Sequence, residues 1–265
     1  MASPHNVIIT GAARCIGHTI AMHLIADGCN IVVNDLPTSQ DALDVLVAQI
    51  AVAGGKVVMS TPNPTDMTVE GNVQVLVEMC VETYGSLEVM VCNAGTAWVK
   101  PIVECTLADV EGLFETNFCS VWLGYKCAAK QMIKQGKGGC IIGSVSAAAK
   151  KGYPFMSVYS ATKFAVCGLT QAAAQEWGPH KITVNTYCPG VIMTPLVEIL
   201  GRSLAVAVGM VDIDPGDMVV GKALCCGTNG ETVTDDIIGF ISFLVSEEGG
   251  FITGQSVFVD GTLFD

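Results

Sequence analysis

Tyr159 and Lys163 stand four residues apart in the stretch Tyr159-Ser160-Ala161-Thr162-Lys163. On a helix that spacing sets both side chains on one face. A fixed ammonium beside a phenol favours the phenolate, and a phenol tuned in this way can give or take a proton near neutral pH. Alone the pair says little, because the same residue types four apart also make an ordinary solvated helix face. The rest of the chain has to supply a site around them.

A second piece of chemistry lies at the start of the chain. Val7-Ile8-Ile9-Thr10 is a short apolar run, and Thr10-Gly11-Ala12-Ala13-Arg14-Cys15-Ile16-Gly17 follows it. Ile16, Ile20 and Leu24 then recur at helical spacing. Strand, small-residue turn and helix together bring backbone N–H groups to a helix N-terminus, where the dipole favours a pyrophosphate. Asn30 to Asp35 reads as the next strand and ends in an acid. Asp35 lies eighteen residues after Gly17, near the distance expected for a carboxylate that binds ribose hydroxyls. The bland alternative for Asp35 is a loop or helix-capping acid.

The elements that would position these groups alternate. A covering helix is predicted over residues 39–53, a strand from Lys56 to Ser60, and a helix over 69–83. Leu87 to Cys92 is a fourth strand, ending at Asn93-Ala94-Gly95, where small residues let backbone approach a ligand. One long helical pattern runs from Thr106 to about Gln135 and carries Asn117 on its buried-looking stretch. Cys140 to Gly143 is a fifth strand, followed by Ser144-Val145-Ser146. The helix with Tyr159 and Lys163 runs to about Trp177, and Ile182 to Tyr187 is a sixth strand closed by Cys188-Pro189-Gly190. Residues 191–234 show no sustained period; a helix from Asp235 to Ser246 and a closing strand around Gly254 to Gly261 end the chain. Alternating strands and helices predict an α/β fold with a parallel sheet covered on both faces. Without a linker or low-complexity tract, residues 1–265 read as one domain.

Composition excludes several functions. Just over half of the 265 residues are hydrophobic, 14% are charged, and the formal net charge is −12. That acidic balance argues against nucleic acid and against an anionic membrane surface as partners. No apolar run is long enough to span a bilayer without interruption, and the N-terminus shows no secretory pattern. The twelve cysteines have no zinc spacing and no CxxC pair, so they read as small buried hydrophobes in a reducing compartment. The four histidines do not cluster with carboxylates, so no metal site is expected. A soluble, cytoplasmic protein is the expectation.

Taken in order, Thr10-Gly11 to Gly17, Asp66, Asn93-Ala94-Gly95, Asn117, Ser146, Tyr159 with Lys163, and Pro189-Gly190 followed by Thr194 resemble the short-chain dehydrogenase/reductase family over nearly the full length. Residues 138–195 look most like the family's acetoin, diacetyl and butanediol oxidoreductases. The resemblance implies a doubly wound, Rossmann-type sheet and an NAD(P)-dependent alcohol–ketone chemistry. Tyr159 would exchange a proton with the substrate oxygen, Lys163 would hold the nicotinamide ribose, Ser146 would orient the substrate oxygen, and Asn117 would anchor a water that leads from Lys163 to solvent. Gly11, Arg14, Cys15, Ile16 and Gly17 would cradle the pyrophosphate. Asp35 and Leu36 would meet the adenosine ribose, Asp66 and Met67 the adenine, and Asn93, Ala94 and Gly95 would pass close to the cofactor. Pro189, Gly190, Val191, Ile192 and Thr194 would hold the carboxamide. The family also implies a homotetramer with the Asn117 and Tyr159 helices as contact faces.

Three positions depart from the family pattern. Cys15 replaces the usual second glycine of the first motif, Val145 stands where a serine usually precedes Ser146, and Cys92 replaces an asparagine. Ser144 competes with Ser146 for the serine role, and the thirteen-residue spacing to Tyr159 favours Ser146. Asp35 would repel a 2′-phosphate, Arg14 pulls the other way, and Leu36 adds no second cation, so NAD is expected over NADP. Residues 191–230 would form a lid. Met193, Leu196, Val197 and Leu200 on one side, with Tyr153, Phe155 and Met156 opposite, would line a pocket for a hydrophobic secondary alcohol or ketone, cyclic or terpenoid. The lid's apolar side chains could equally pack on the sheet or at a subunit contact. A small-diol or acetoin-type activity is the alternative. A regulator that binds a dinucleotide without turnover is the remote one, opposed by the complete set Asn117, Ser146, Tyr159 and Lys163.

Overall fold

The fold was described from a computed structural model, over residues 5–59, 66–190, 192, 194–207 and 234–260. Seven strands form one parallel sheet: β1 (Asn6–Thr10), β2 (Asn30–Asn34), β3 (Lys56–Met59), β4 (Val89–Cys92), β5 (Gly139–Ser144), β6 (Ile182–Pro189) and β7 (Ser256–Val259). Their order is β3-β2-β1-β4-β5-β6-β7. The order reverses between β1 and β4, which opens a crevice at the carboxyl ends of those two strands, the place where open α/β sheets bind ligands. Each strand runs parallel to its neighbours, so the chain must cross back between them, and helices do so on both faces.

On one face lie α1 (Cys15–Ala26), α2 (Gln40–Val52) and the last helix, α8 (Thr234–Val245). Ile20 and Leu24 of α1, Leu43 and Leu46 of α2, and Ile237 and Ile241 of α8 pack there against Val7, Ile9, Val89 and Val91. On the other face lie α3 (Glu70–Tyr84), α5 (Ser120–Gln135) and α6 (Ser157–Trp177), with Leu76, Tyr125 and Val166 packed against Ile8, Met90 and Ile141. Successive strand residues point to opposite faces, and here both faces are dry, which is why the strands read as continuous apolar runs.

Two expectations change in detail. The helical pattern from Thr106 is α4 (Leu107–Phe114), a π turn over Glu115–Cys119, then α5. Thr106 and Asp109 cap α4 reciprocally, side chain to backbone, so its start is fixed. The π turn contains Asn117; such one-residue insertions recur at functional sites because they re-aim a side chain. Second, part of the stretch expected to lack a period is a helix, α7 (Pro195–Ala207). Val197, Leu200 and Leu204 lie three and four apart on it, one face of a helix, while Arg202 is exposed. Residues 208–230 of the expected lid lie outside the described residues.

Candidate active site

The β1–α1 turn is built for close approach. Gly11 sits at φ +64°, in the left-handed region that favours glycine. Gly17 has no room for a side chain: an added Cβ would lie 2.1 Å from the Gly11 carbonyl oxygen and 2.6 Å from Asn93 Nδ2. Arg14 precedes α1 in extended conformation, and Cys15 opens the helix at φ +49°. Cys15 therefore holds the left-handed backbone that a glycine would adopt without strain, at a cost of about 1–2 kcal/mol. Burial raises its thiol pKa more than Arg14 lowers it. The first N–H groups of α1 have no partner within the helix, and Cys15, Ile16 and Gly17 line the crevice.

Neighbouring strands brace this turn. The Asp35 carboxylate, just past β2, accepts from the Ala13 N–H (2.9 Å) and from the Leu36 N–H (2.8 Å). Asn93, just past β4, donates through Nδ2 to the carbonyls of Thr10 (3.0 Å) and Gly11 (2.9 Å), and its Oδ1 accepts from the Tyr187 hydroxyl (2.7 Å). Asn93 thus braces the turn, and it also lines the crevice. Asp66 spends one carboxylate oxygen on the N–H and hydroxyl of Thr68. Gly11, Arg14, Cys15, Ile16 and Gly17, Asp35 and Leu36, Asp66 and Met67, Ala94 and Gly95, and Thr194 all line one groove of about 720 Å³. A carboxylate at one end, a glycine turn in the middle and open backbone N–H groups form a cradle that fits an extended dinucleotide.

The proton-transfer candidates lie past the other end. Tyr159 and Lys163 share the inner face of α6, with Lys163 Nζ 5.6 Å from the centre of the Tyr159 ring. Lys163 is almost wholly buried, 3% exposed, and donates to the Ser144 carbonyl (3.0 Å). Burial pushes its pKa down to about 8. Burial raises that of Tyr159, and a hydrogen bond with Ser146 opposes the rise. The four-residue spacing predicts that the ammonium governs this phenol; in the folded chain without ligand, desolvation is the larger effect. Ser146 follows β5, and its hydroxyl accepts from the Ala148 N–H (3.2 Å). Ser144 is the last, buried residue of β5.

Asn117 is fully buried in the π turn. Its Oδ1 accepts from the Thr96 N–H (2.8 Å), and its Nδ2 donates to the Thr96 carbonyl (2.8 Å) and to the Thr162 hydroxyl (3.3 Å). The amide fastens the loop after β4 to α6. Gly95 joins the groups: a Cβ there would stand 3.2 Å from Asn117 Oδ1 and 3.4 Å from Lys163 Nζ.

A cavity of about 520 Å³ opens over Tyr159, Ser146 and Lys163. It shares Ile16, Asn93, Gly95, Thr96 and Thr194 with the groove, so the two form one channel. Tyr153, Phe155 and Met156 line one side, Pro189, Gly190 and Ile192 another, and Val197, Leu200 and Leu204 of α7 the roof. Lys163 is the single charged side chain among the described lining residues. Val191, Met193 and the side chain of Leu196 lie outside the described residues. Thr96, Val99, Ala147 and Ala148 also line the cavity, beyond the residues expected from sequence; their nearness to Gly95 and Ser146 along the chain was the available signal. Nothing local marks Thr162 or Tyr187, whose bonds are long-range.

The family profile described as short chain dehydrogenase matches residues 5–204. The chain belongs to the short-chain dehydrogenase/reductase family. It is an oxidoreductase of that family, with the Rossmann-type sheet its members share. A short-chain dehydrogenase/reductase of Armillaria gallica is 37% identical over 254 residues, 96% of this chain and 94% of that protein. An L-2,3-butanediol dehydrogenase of Corynebacterium glutamicum is likewise 37% identical, over 96% of both chains. A crystal structure of a short-chain type dehydrogenase/reductase from Mycobacterium marinum superposes with a TM-score of 0.83 at 29% identity, covering 97% of this chain and 94% of that one. Among the described residues no helix is long and apolar enough to cross a membrane, and no cluster of His, Cys, Asp and Glu could hold a metal.

Proposed function

We propose that this chain is an NAD-dependent oxidoreductase that interconverts a secondary alcohol and a ketone on a hydrophobic scaffold, cyclic or terpenoid in type. The observation that carries the substrate class is the cavity, whose described lining holds Tyr159, Lys163 and Ser146, polar groups at Asn93, Thr96, Ser144 and Thr194, and otherwise apolar or aromatic groups such as Tyr153, Phe155, Met156, Val197, Leu200 and Leu204. When bound, the dinucleotide supplies hydride exchange at its nicotinamide ring.

The chain's own residues do the rest. Tyr159 takes the hydroxyl proton during oxidation and returns it to the carbonyl oxygen during reduction. Ser146 donates a hydrogen bond to that oxygen and fixes its direction. Lys163 holds the nicotinamide ribose, and its pKa of about 8 lets it gain or lose a proton near neutral pH. Asn117 keeps Thr96 and Thr162 in place beside Lys163, so the lysine meets a fixed wall. Gly11 and Gly17 admit the pyrophosphate, and Thr194 with the backbone after Gly190 holds the carboxamide. Asp35 favours ribose hydroxyls over a 2′-phosphate, against the pull of Arg14.

Steady-state comparison of the two coenzymes tests the last point: NAD⁺ should be preferred, and equal efficiency with NADP⁺ overturns it. A panel of alcohols tests the substrate. Cyclic terpenoid alcohols should exceed butanediols in kcat/KM. The second reading, a small-diol or acetoin-type enzyme, is favoured by the full-length similarity to the Corynebacterium butanediol dehydrogenase; preference for butanediol would select it. The proposal extends to a cytoplasmic homotetramer that associates through α5 and α6, on which Trp122 and Phe164 stand partly exposed.

A further inference from the structure

Tyr187 carries a hydroxyl that neither the fold nor the proposed chemistry accounts for. It sits in β6, opposite Ser144 of β5 and Val257 of β7, with no exposed surface. It lines neither the groove nor the cavity. A buried phenol in an all-parallel sheet is costly unless its oxygen is satisfied. Here the hydroxyl reaches across the end of the sheet to Asn93 Oδ1 at 2.7 Å, a partner 94 residues away.

That bond completes the set of partners that orients Asn93. One end of the amide faces two carbonyls, Thr10 at 3.0 Å and Gly11 at 2.9 Å, and only the NH₂ end can donate to both. Oδ1 must then point the other way, and Tyr187 is the donor that meets it. Asn93 Nδ2 also limits the space at Gly17, where an added Cβ would come within 2.6 Å of it. On the far side, Ser144 faces Tyr187 in register, and its carbonyl accepts from Lys163 Nζ. One buried hydroxyl therefore stands between the glycine turn and the strand residue that holds Lys163.

We infer that Tyr187 is a positioning residue: its hydroxyl locks the Asn93 amide in the orientation that fastens the Gly11 turn, and so keeps the dinucleotide cradle preformed. The inference rests on the dinucleotide-binding reading above. Removing the hydroxyl leaves the buried Oδ1 without its donor, so the amide loses one of its three anchors and its hold on the turn loosens. The cradle then has to be reordered each time a dinucleotide binds.

The test compares two buried tyrosines by NADH titration, thermal melting and steady-state kinetics. Tyr125 is equally buried and bonds the Thr170 hydroxyl at 3.0 Å, away from the turn. Tyr187→Phe should weaken NADH binding about tenfold, equivalent to about 1.4 kcal/mol, and raise KM for NAD⁺ with kcat changed less than about twofold. Tyr125→Phe should lower the melting temperature similarly and leave NADH affinity within about twofold of wild type. Equal NADH affinities for the two variants would overturn the inference alone. A wild-type chain that binds no dinucleotide would overturn the functional reading and this inference with it. Should Tyr187→Phe fail to fold, Asn93→Asp examines the same link, because it keeps the acceptor for Tyr187 and removes the donors to Thr10 and Gly11. NADH affinity should fall at least about tenfold, and unchanged affinity would count against the lock.

Discussion

Replacing Lys163 by methionine should make the unliganded protein more stable while removing its activity. The lysine ammonium is 3% exposed, and its pKa falls from 10.5 to about 8 because burial penalises the charge. At about 1.4 kcal/mol per pH unit, that drop corresponds to about 3 kcal/mol set against folding whenever the lysine is charged in both states. Methionine keeps most of the aliphatic stem but gives up the hydrogen bond to the Ser144 carbonyl, worth about 1 kcal/mol. The net expectation at pH 7 is a gain of about 2 kcal/mol, or about 4–8 °C in melting temperature for a chain of this size.

The pH dependence has a definite sign. Between pH 8 and 10.5 the unfolded chain binds more protons at this lysine than the folded chain does, so wild-type stability rises with pH there. Lys163→Met has no such group. Its advantage should be full below pH 8 and fall to about zero near pH 10. Denaturant melts of both proteins at about pH 7 and about pH 10, without dinucleotide, measure it. A variant less stable than wild type at neutral pH, or an advantage that does not shrink with pH, would refute the burial argument.

Three further outcomes follow from the geometry. Gly17→Ala places a carbon 2.1 Å from the Gly11 carbonyl oxygen, so the turn must open; NADH affinity by fluorescence titration should fall about a hundredfold or more, and affinity within about threefold of wild type would contradict the cradle. Cys15→Gly removes a side chain from a φ of +49° and should raise stability by about 0.5–1 kcal/mol in urea melts, the relief of about 1–2 kcal/mol being partly offset by glycine's greater freedom when unfolded. Tyr159→Phe should lower kcat about a thousandfold while NADH binding stays within about twofold, since the hydroxyl is needed for the proton and not for the cradle.

The sheet and its covering helices were legible because the strands are buried on both faces and their apolar runs are short and evenly punctuated. The order of Gly11, Asp35, Asn93 and Tyr159 along the chain marked the crevice. What escaped had long-range causes. Asn117 meets Thr96 and Thr162, and Tyr187 meets Asn93, across separations of 21 to 94 residues that no local pattern encodes. Residues 195–207 were hidden for a different reason: Val197, Leu200 and Leu204 keep helical spacing, but the glycine-rich residues beyond them blurred the period. Spacing reveals the charge of Lys163 beside Tyr159 but conceals the burial that raises the tyrosine's pKa in the chain without ligand.

The reversal of strand order between β1 and β4 also bears on how the molecule assembles. Thr10 reaches the Asn93 and Ala94 N–H groups across 83 and 84 residues, and β6 joins that corner through Tyr187 across a further 94. Contacts of such separation cost the most chain entropy to close and form late. The crevice exists only once β1 and β4 have paired and Tyr187 of β6 has reached Asn93. A dinucleotide in the medium therefore has little to hold in partly folded chains and rewards the finished sheet alone, drawing the population toward it by mass action. The cofactor's abundance in the cell would then help set how much of this chain escapes degradation.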